Sequence, residues 1–308
     1  MPRPKICVVG ASNIDLISYA PRLPRLGETV PGTRFQMGFG GKGANQAVMA
    51  AKLGGDVAII TKVGQDIFGD DIRKNFAGYT MDTTHLVTTA DAMTGVAPIW
   101  VEESSGDNAI IVALGANDLL SPADIAAAQG ALAAADIVVC QWEIQTETVL
   151  AALRLAHEAG VRTIFNPAPA REQLPAEAYC YTDILCPNES ETELLTGMPV
   201  ATQDEAVAAA RVLLGRGVGT VILTLGARGS LLVTPETVQA MPAPSVRAID
   251  TTGAGDCYVG SLAYFLAAGK SLPVAMDRAS RIAAISVQAP GTQSSFPNAA
   301  DLPAELLT

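Results

Sequence analysis

Histidine is nearly absent from this chain, with only His85 and His157 among 308 residues. Neither has a serine, a cysteine or a metal-spaced companion, so a histidine-based triad or a zinc centre has nothing to build on. Both read as surface or capping residues. Cysteine is scarce as well: Cys7, Cys140, Cys180, Cys186 and Cys257 show neither paired nor metal-type spacing. With no secretory leader expected, that scatter excludes a disulfide scaffold and points to a reducing, cytoplasmic setting. Positive charge is in deficit, 20 Lys plus Arg against 31 Asp plus Glu for a net of -11, which leaves nucleic acid and anionic membranes as poor main partners. Local basic sites stay open. No apolar run approaches the ~20 residues that cross a bilayer. What the chain does have is 49% apolar residues, enough for one large core or two modest ones.

Short apolar runs without polar alternation, at residues 5–10, 57–63, 136–140, 162–165, 184–186 and 220–225, read as buried strands. Between them, residues 44–53, 68–77, 122–134, 147–159 and 205–214 show helical periodicity and are rich in alanine. The alternation predicts an α/β fold, a mostly parallel sheet covered on both faces. Two regions break the rhythm. Residues 14–39 are rich in Pro and Gly, and residues 94–112 carry extended stretches at 96–101 and 109–112 split by residues 104–107. These predict a small β extension, with chain crossings near residues 14, 40, 94 and 113, whose natural use is a covering lid. After Gly229, extended stretches at 231–234 and 238–241 precede a glycine cluster and two closing helices at 254–267 and 272–287. There is no fixed-period repeat. Length alone would suggest two domains of about 150 residues, but the inserted strands favour one domain over residues 1–308 with a lid.

Two glycine-rich segments stand out. Residues 39–45 read Phe-Gly-Gly-Lys-Gly-Ala-Asn, where Gly41 and Gly43 permit close backbone approach and Lys42 and Asn45 offer polar groups where a helix begins near Ala44. A tight turn feeding a helix would look the same. The nominal G-x-G-x-x-G at Gly38, Gly40 and Gly43 is not read as a dinucleotide fingerprint, because it does not follow the first strand and no clean strand is expected before it. It is not a Walker A loop either, since Gly43 follows Lys42. Residues 250–256 read Asp-Thr-Thr-Gly-Ala-Gly-Asp and lead into an apolar helix. The amides of Gly253, Ala254 and Gly255 at a helix N-terminus suit the negative charge of a transferring phosphoryl group. A base that takes the proton from an attacking hydroxyl must sit beside such a pocket, and Asp256 fits that description better than any other residue. A carboxylate in that position can also be an ordinary cap.

Further candidates follow predicted strands. Asn188, Glu189 and Glu191 would lie at the carboxyl edge of the sheet, where they could organise hydrated Mg²⁺ or simply cap a helix. Residues 224–229 (Thr-Leu-Gly-Ala-Arg-Gly) could pass around a nucleotide or form a plain turn. Asn13 and Asp15, two apart in extended chain, share a face and could hold two hydroxyls of a polyol, as could a surface turn's side chains. Glu143, just past the strand ending at Cys140, could reach the same pocket.

The chain resembles the PfkB family of carbohydrate kinases, and within it the ribokinase branch. The resemblance runs through residues 10–15, 40–46 (Gly-Gly-Lys-Gly-Ala-Asn-Gln), 115–117 (Gly-Ala-Asn), 166–169 (Asn-Pro-Ala-Pro), 188–191, 224–226 and 250–256. It implies a Rossmann-like αβα sandwich with a small inserted β-sheet lid over residues 14–39 and 94–112, and ATP-dependent phosphorylation of D-ribose at its 5-hydroxyl. Ribose would be held by Asn13, Ile14, Asp15, Gly41, Lys42, Gly43, Ala44, Asn45 and Glu143, with Asp256 as base and Gly253, Ala254 and Gly255 as anion hole. ATP would lie along Asn188, Thr224, Leu225, Gly226, Ala227, Arg228, Gly229, Gly255, Asp256 and Ser280. Mg²⁺ would travel with ATP, through water near Glu191. K⁺ would fall on Asp250, Thr252, Ser286, Ala289, Gly291 and Ser295; the resemblance alone supplies that ion, because carbonyl ligands leave no side-chain signature. Family members commonly form homodimers through their lids. Other branches act on fructose, 2-keto-3-deoxygluconate or nucleosides such as adenosine, so those acceptors stay open. A non-catalytic sugar- or nucleotide-binding protein is the reading from a different class.

Overall fold

A computed structural model describes residues 3–104, 107–169, 171 and 173–307. The first strand, β1 (Lys5–Val9), shows how the layers arise. Its Ile6 and Val8 join one hydrophobic core while Cys7 and Val9 join another, because successive side chains leave opposite faces of a strand. The chain then leaves the main sheet for β2 (Asn13–Ala20) and β3 (Arg34–Gly40), an antiparallel pair. It returns through α1 (Lys42–Lys52) to β4 (Asp56–Gly64), which lies parallel to β1, and continues by α2 (Ile67–Gly78) to β5 (Leu86–Thr89). A second excursion forms β6 (Gly95–Glu102), parallel to β2, and β7 (Asn108–Ile110). Of the segment expected to split these two strands, residues 105 and 106 lie outside the described residues.

The rest of the chain mostly alternates helix and strand: α3 (Pro122–Ala127), α4 (Gln129–Ala133), β8 (Ile137–Gln141), α5 (Thr146–Glu158), β9 (Arg162–Asn166), α6 (Ala176–Cys180) and β10 (Ile184–Leu185). α7 (Glu189–Thr196), α8 (Gln203–Gly215) and β11 (Thr220–Thr224) follow, then the antiparallel β12 (Ser230–Val233) and β13 (Val238–Met241). The chain closes with α9 (Ala254–Ala267), α10 (Leu272–Ser286) and α11 (Ala304–Leu307). Among the described residues the large sheet has nine strands in the order β13-β12-β11-β10-β9-β8-β1-β4-β5, and the small sheet has four, β3-β2-β6-β7. Helices α1, α2, α9 and α10 bury their apolar faces in one core and α3 to α8 in the other. The result is a Rossmann-like αβα sandwich with a smaller inserted sheet.

Three features depart from the sequence reading. The single helix expected over 122–134 is broken at Ala128 (φ -96, ψ 9), two residues before Gly130, whose backbone freedom disfavours a continuous helix. A strand does precede the Gly-Gly-Lys-Gly segment. It is β3 of the small sheet, paired with β2 and not with β1, so the segment still opens no dinucleotide-binding unit. Helices α6 and α11 and strand β5 were not anticipated, being too short for periodicity to show, and α7 was foreseen only through its capping residues.

Candidate active site

The site lies at the carboxyl ends of β1, β8, β9, β10 and β11, the crevice where open α/β sheets bind ligands. Helix α9 points its N-terminus into this crevice. Its cap, Gly253, has φ +75, and a Cβ there would stand 2.5 Å from Thr292 Cγ2, so only glycine fits. The first amides of a helix have no partner within it, so this turn offers N–H donors together with the positive end of the helix dipole. Asp256, in the first turn, is 6% exposed. Its Oδ2 accepts from Asn45 Nδ2 and its Oδ1 from Gln46 Nε2, each at 2.9 Å. A residue serving only as a cap would bond its own helix; Asp256 is held by α1 instead.

Around Asp256 the structure gathers most of the acid and amide residues picked out above. Asn13 and Asp15, both on β2, are buried. Gly40 and Gly95 in the flanking strands make room for them, since a Cβ at either would fall 2.3 Å from a side-chain oxygen of Asp15 or Asn13. Gly41, between β3 and α1, has φ +86 and sits against Ala11 O, where a Cβ would come within 2.6 Å. Glu143 Oε2 accepts from the Lys42 backbone N–H at 2.8 Å, capping the start of α1. Burial pushes Asp15 up to about 7, with the charges of Glu143 and Asp256 adding to it. Burial also raises the Glu143 and Glu191 carboxyls. The Lys42 ammonium is pushed above its ordinary value, chiefly by Asp256 and further by Glu143 and Glu191. Ile14 and Ala44 are buried in the core and line neither of the hollows that meet at α9.

Two connected hollows meet at α9. A cavity of about 680 Å³ is lined by Asn188, Thr224, Gly226, Ala227, Gly229 and Ser280, among others, and reaches Ala254 and Gly255. A smaller one of about 170 Å³ holds Lys42, Asn166, Glu191, Gly253 and Asp256. Leu225 and Arg228 do not line either hollow. Leu225 belongs to the core. The Arg228 guanidinium turns away to the carbonyls of Ala201 and Val200 and pairs with Glu189. Asn188 and Glu191 form a reciprocal capping box on α7, so the bland reading of that motif holds, while Glu191 also borders the small hollow.

Of the residues named for a monovalent cation, Asp250, Thr252 and Gly291 come together. Asp250 accepts from Gly291 N at 2.8 Å and from Thr252 N at 2.9 Å, tying residues 250–252 to the loop after α10. Ser286 and Ser295 are buried and donate their hydroxyl protons to the Ala283 and Thr292 carbonyls. The donor set of hydroxyl and carbonyl oxygens fits a large monovalent ion. No group of three or more His, Cys, Asp or Glu that could hold a metal occurs among the described residues. Glu191 shares the small hollow with Asp256, and a carboxylate that reaches its ion through water suits Mg²⁺ arriving on a nucleotide rather than one held in a protein cage.

Several polar residues of the site carried no role in the sequence reading. Asn117 is fully buried between the two sheets. It accepts from Ser12 N at 2.9 Å and donates to Ser12 O at 3.1 Å, Asn13 Oδ1 at 2.8 Å and Leu114 O at 3.0 Å. That fixes Asn13 Oδ1 towards Asn117 and so sets which end of the Asn13 amide presents its NH₂. Gln46, Gln141, Asn166 and Gln293 surround Asp256 and Asn45. The Gly-Ala-Asn, Gly-Ala-Asn-Gln and Asn-Pro-Ala-Pro motifs held three of these residues, but spacing does not say what an amide bonds.

A family model, "pfkB family carbohydrate kinase", matches residues 3–299. A mouse ribokinase is 45% identical, the match covering 98% of this chain and 94% of that protein. A deoxyribokinase of Salmonella typhi is 42% identical, covering 95% of each. In structure, ribokinase of Arabidopsis thaliana complexed with ribose and ATP superposes with a TM-score of 0.90 at 31% identity, over 100% of this chain and 99% of that one. No helix among the described residues is long and apolar enough to cross a membrane.

Proposed function

The chain belongs to the pfkB family of carbohydrate kinases and is thus a phosphotransferase; we propose that its acceptor is D-ribose, phosphorylated by ATP at the 5-hydroxyl to give ADP and D-ribose 5-phosphate. One observation carries this reading. Asp256 lines the small hollow that adjoins the nucleotide-sized cavity at the α9 N-terminus, bonds Asn45, and lies close enough to Asp15 and Glu143 for their charges to act on one another. Asn13, Asp15, Glu143 and the Gly41–Asn45 backbone hold the sugar. Asp256 takes the 5-hydroxyl proton as that oxygen attacks phosphorus in line. The Gly253, Ala254 and Gly255 amides and the Lys42 ammonium face the charge that spreads over the transferring oxygens. Glu191 would hold hydrated Mg²⁺, which would neutralise phosphate charge, and Asp250, Thr252, Ser286, Ala289, Gly291 and Ser295 would hold K⁺ beside the anion-binding turn. The small sheet closes over the sugar and excludes water, which competes for the phosphoryl group.

The Salmonella typhi protein named a deoxyribokinase favours one second reading, 2-deoxyribose as acceptor. The deciding experiment is ADP release from Mg-ATP over ribose, 2-deoxyribose, fructose, 2-keto-3-deoxygluconate and adenosine. Ribose gives the highest kcat/KM; a higher value for any other acceptor reassigns the pocket. Asp256→Asn binds ribose but loses most turnover, because an amide cannot accept the proton. Near-normal turnover would refute the base. Phe35, Met37 and Ile110 expose large apolar side chains on the small sheet, which supports a homodimer through that sheet. Five free cysteines, four of them buried, fit a reducing cytoplasm.

A further inference from the structure

The hydrogen bonds around Asp256 have a direction that the carboxylate itself imposes. An ionised carboxylate only accepts, so any amide facing it must present NH₂. Gln46 therefore turns Nε2 towards Asp256 Oδ1, and the second proton of that NH₂ goes to Asn166 Oδ1 at 3.1 Å. Its Oε1 must then face the other way, where Gln141 Nε2 donates to it at 2.7 Å. That leaves Gln141 Oε1 as the end of the chain, and it is buried with no partner. An orphaned buried acceptor is costly. Flipping Gln141 would not remove the cost, because Oε1 would then face Gln46 Oε1. The other carboxylate oxygen ends a second chain of the same sense: Asn75 Nδ2 donates to Gln293 Oε1, Gln293 Nε2 to Asn45 Oδ1, and Asn45 Nδ2 to Asp256 Oδ2. Gln46 and Gln141 are both fully buried.

From this convergence we infer that Gln46 is a positioning residue of the phosphoryl-transfer reaction: oriented by Gln141 and Asn166, it fixes the plane of the Asp256 carboxylate while Asn45 fixes the second oxygen. The inference rests on Asp256 being the base. Proton transfer is steeply sensitive to the placement of the accepting oxygen, so the cost of losing the relay falls on turnover and not on sugar affinity. The orphaned Gln141 oxygen has a reason in this arrangement, since only a donor at that place can hold Gln46 in the orientation Asp256 requires. The ionisable groups that face Asp256 are Asp15 of β2, Lys42 of α1, Glu143 after β8, Glu191 of α7 and Cys257 of α9.

Two substitutions in the full-length protein test it, with ribose and Mg-ATP as substrates. Gln46→Met keeps the volume and removes the donor. kcat falls about tenfold or more while KM for ribose changes less than about threefold, the loss expected for a hydrogen bond to a charged group. Gln46→Glu donates to Asp256 only while its carboxyl is protonated, so its kcat relative to wild type declines as pH rises from about 5.5 to 8.5. A kcat within twofold of wild type in folded Gln46→Met, or a rise in KM with kcat unchanged, overturns the inference. A Gln46→Glu profile parallel to wild type does the same, and it decides the matter should Gln46→Met fail to fold. Asp256→Asn separates the two levels: if it stays active the base assignment has failed, and if it is inactive while Gln46→Met is normal only the relay has.

Discussion

Replacing Asp15 with asparagine should make the empty protein more stable and the enzyme worse, and the first effect grows with pH. Asp15 is 9% exposed, beside the carboxylates of Glu143 and Asp256, and is pushed from 3.8 up to about 7 by burial first and by those two charges next. A shift of roughly three units at about 1.4 kcal/mol each sets a ceiling of about 4 kcal/mol. The sign follows from proton counting: between pH 4 and 7 the folded chain holds a proton that the unfolded chain has released, so this group's contribution is full below about pH 4 and lost as pH rises through about 7. Asparagine removes the charge but still has an amide to satisfy, so about half the ceiling, ~2 kcal/mol, survives. For a chain of this size that is a rise of roughly 4 °C or more in Tm at pH 8. Sugar hydroxyls that donate to Asp15 need it ionised, so ribose affinity in the wild type rises with pH up to about 7, by at most about tenfold per unit, and then levels off. Thermal melts of both proteins from pH 5 to 8.5, with and without ribose, read both effects. A stability gap that stays constant with pH, or a ribose-induced Tm shift in the wild type as large at pH 5.5 as at pH 8, would refute the reasoning.

Two other perturbations address the anion-binding turn. Gly253→Ala forces a side chain into left-handed backbone, at about 1–2 kcal/mol, and drives its Cβ into Thr292 Cγ2, so kcat should drop by about tenfold or more; Thr292→Ser in the same chain removes that methyl and should recover part of the loss. Unchanged turnover in Gly253→Ala would mean that the turn does not hold the transferring group. Exchanging K⁺ for Na⁺ should lower turnover without lowering Tm appreciably, and superimposable kinetics in the two salts would remove the cation assignment of Asp250, Thr252, Ser286, Ala289, Gly291 and Ser295.

Much of the fold was legible because periodicity is local. The β1 run Ile6-Cys7-Val8-Val9 is apolar on both faces, which by itself requires a layer on either side, and the alanine-rich segments could only be those layers. Elements too short to show a period stayed hidden, as did the break at Ala128 and the pairing of β3 with β2, which depends on a partner elsewhere in the chain. Within the site, Asp256 was recognisable because its glycine neighbours mark a helix N-terminus. Arg228 was misleading. Its loop borders the large cavity, yet its guanidinium finds carbonyls of residues 200 and 201 and the Glu189 carboxylate, which no local pattern announces.

The sequence by itself determined the alternation of strand and helix, the two inserted extended regions and the carboxylate that follows the Gly-Ala-Gly cluster, because each depends on neighbours a few positions away. Only the tertiary structure decided what those groups do to one another. Gln46 meets Asp256 across 210 positions and Gln293 meets Asn45 across 248. The high pKa of Asp15 likewise comes from burial and from carboxylates on other elements. Burial, charge proximity and the direction of an amide are properties of distance in space, and the fold alone sets those distances.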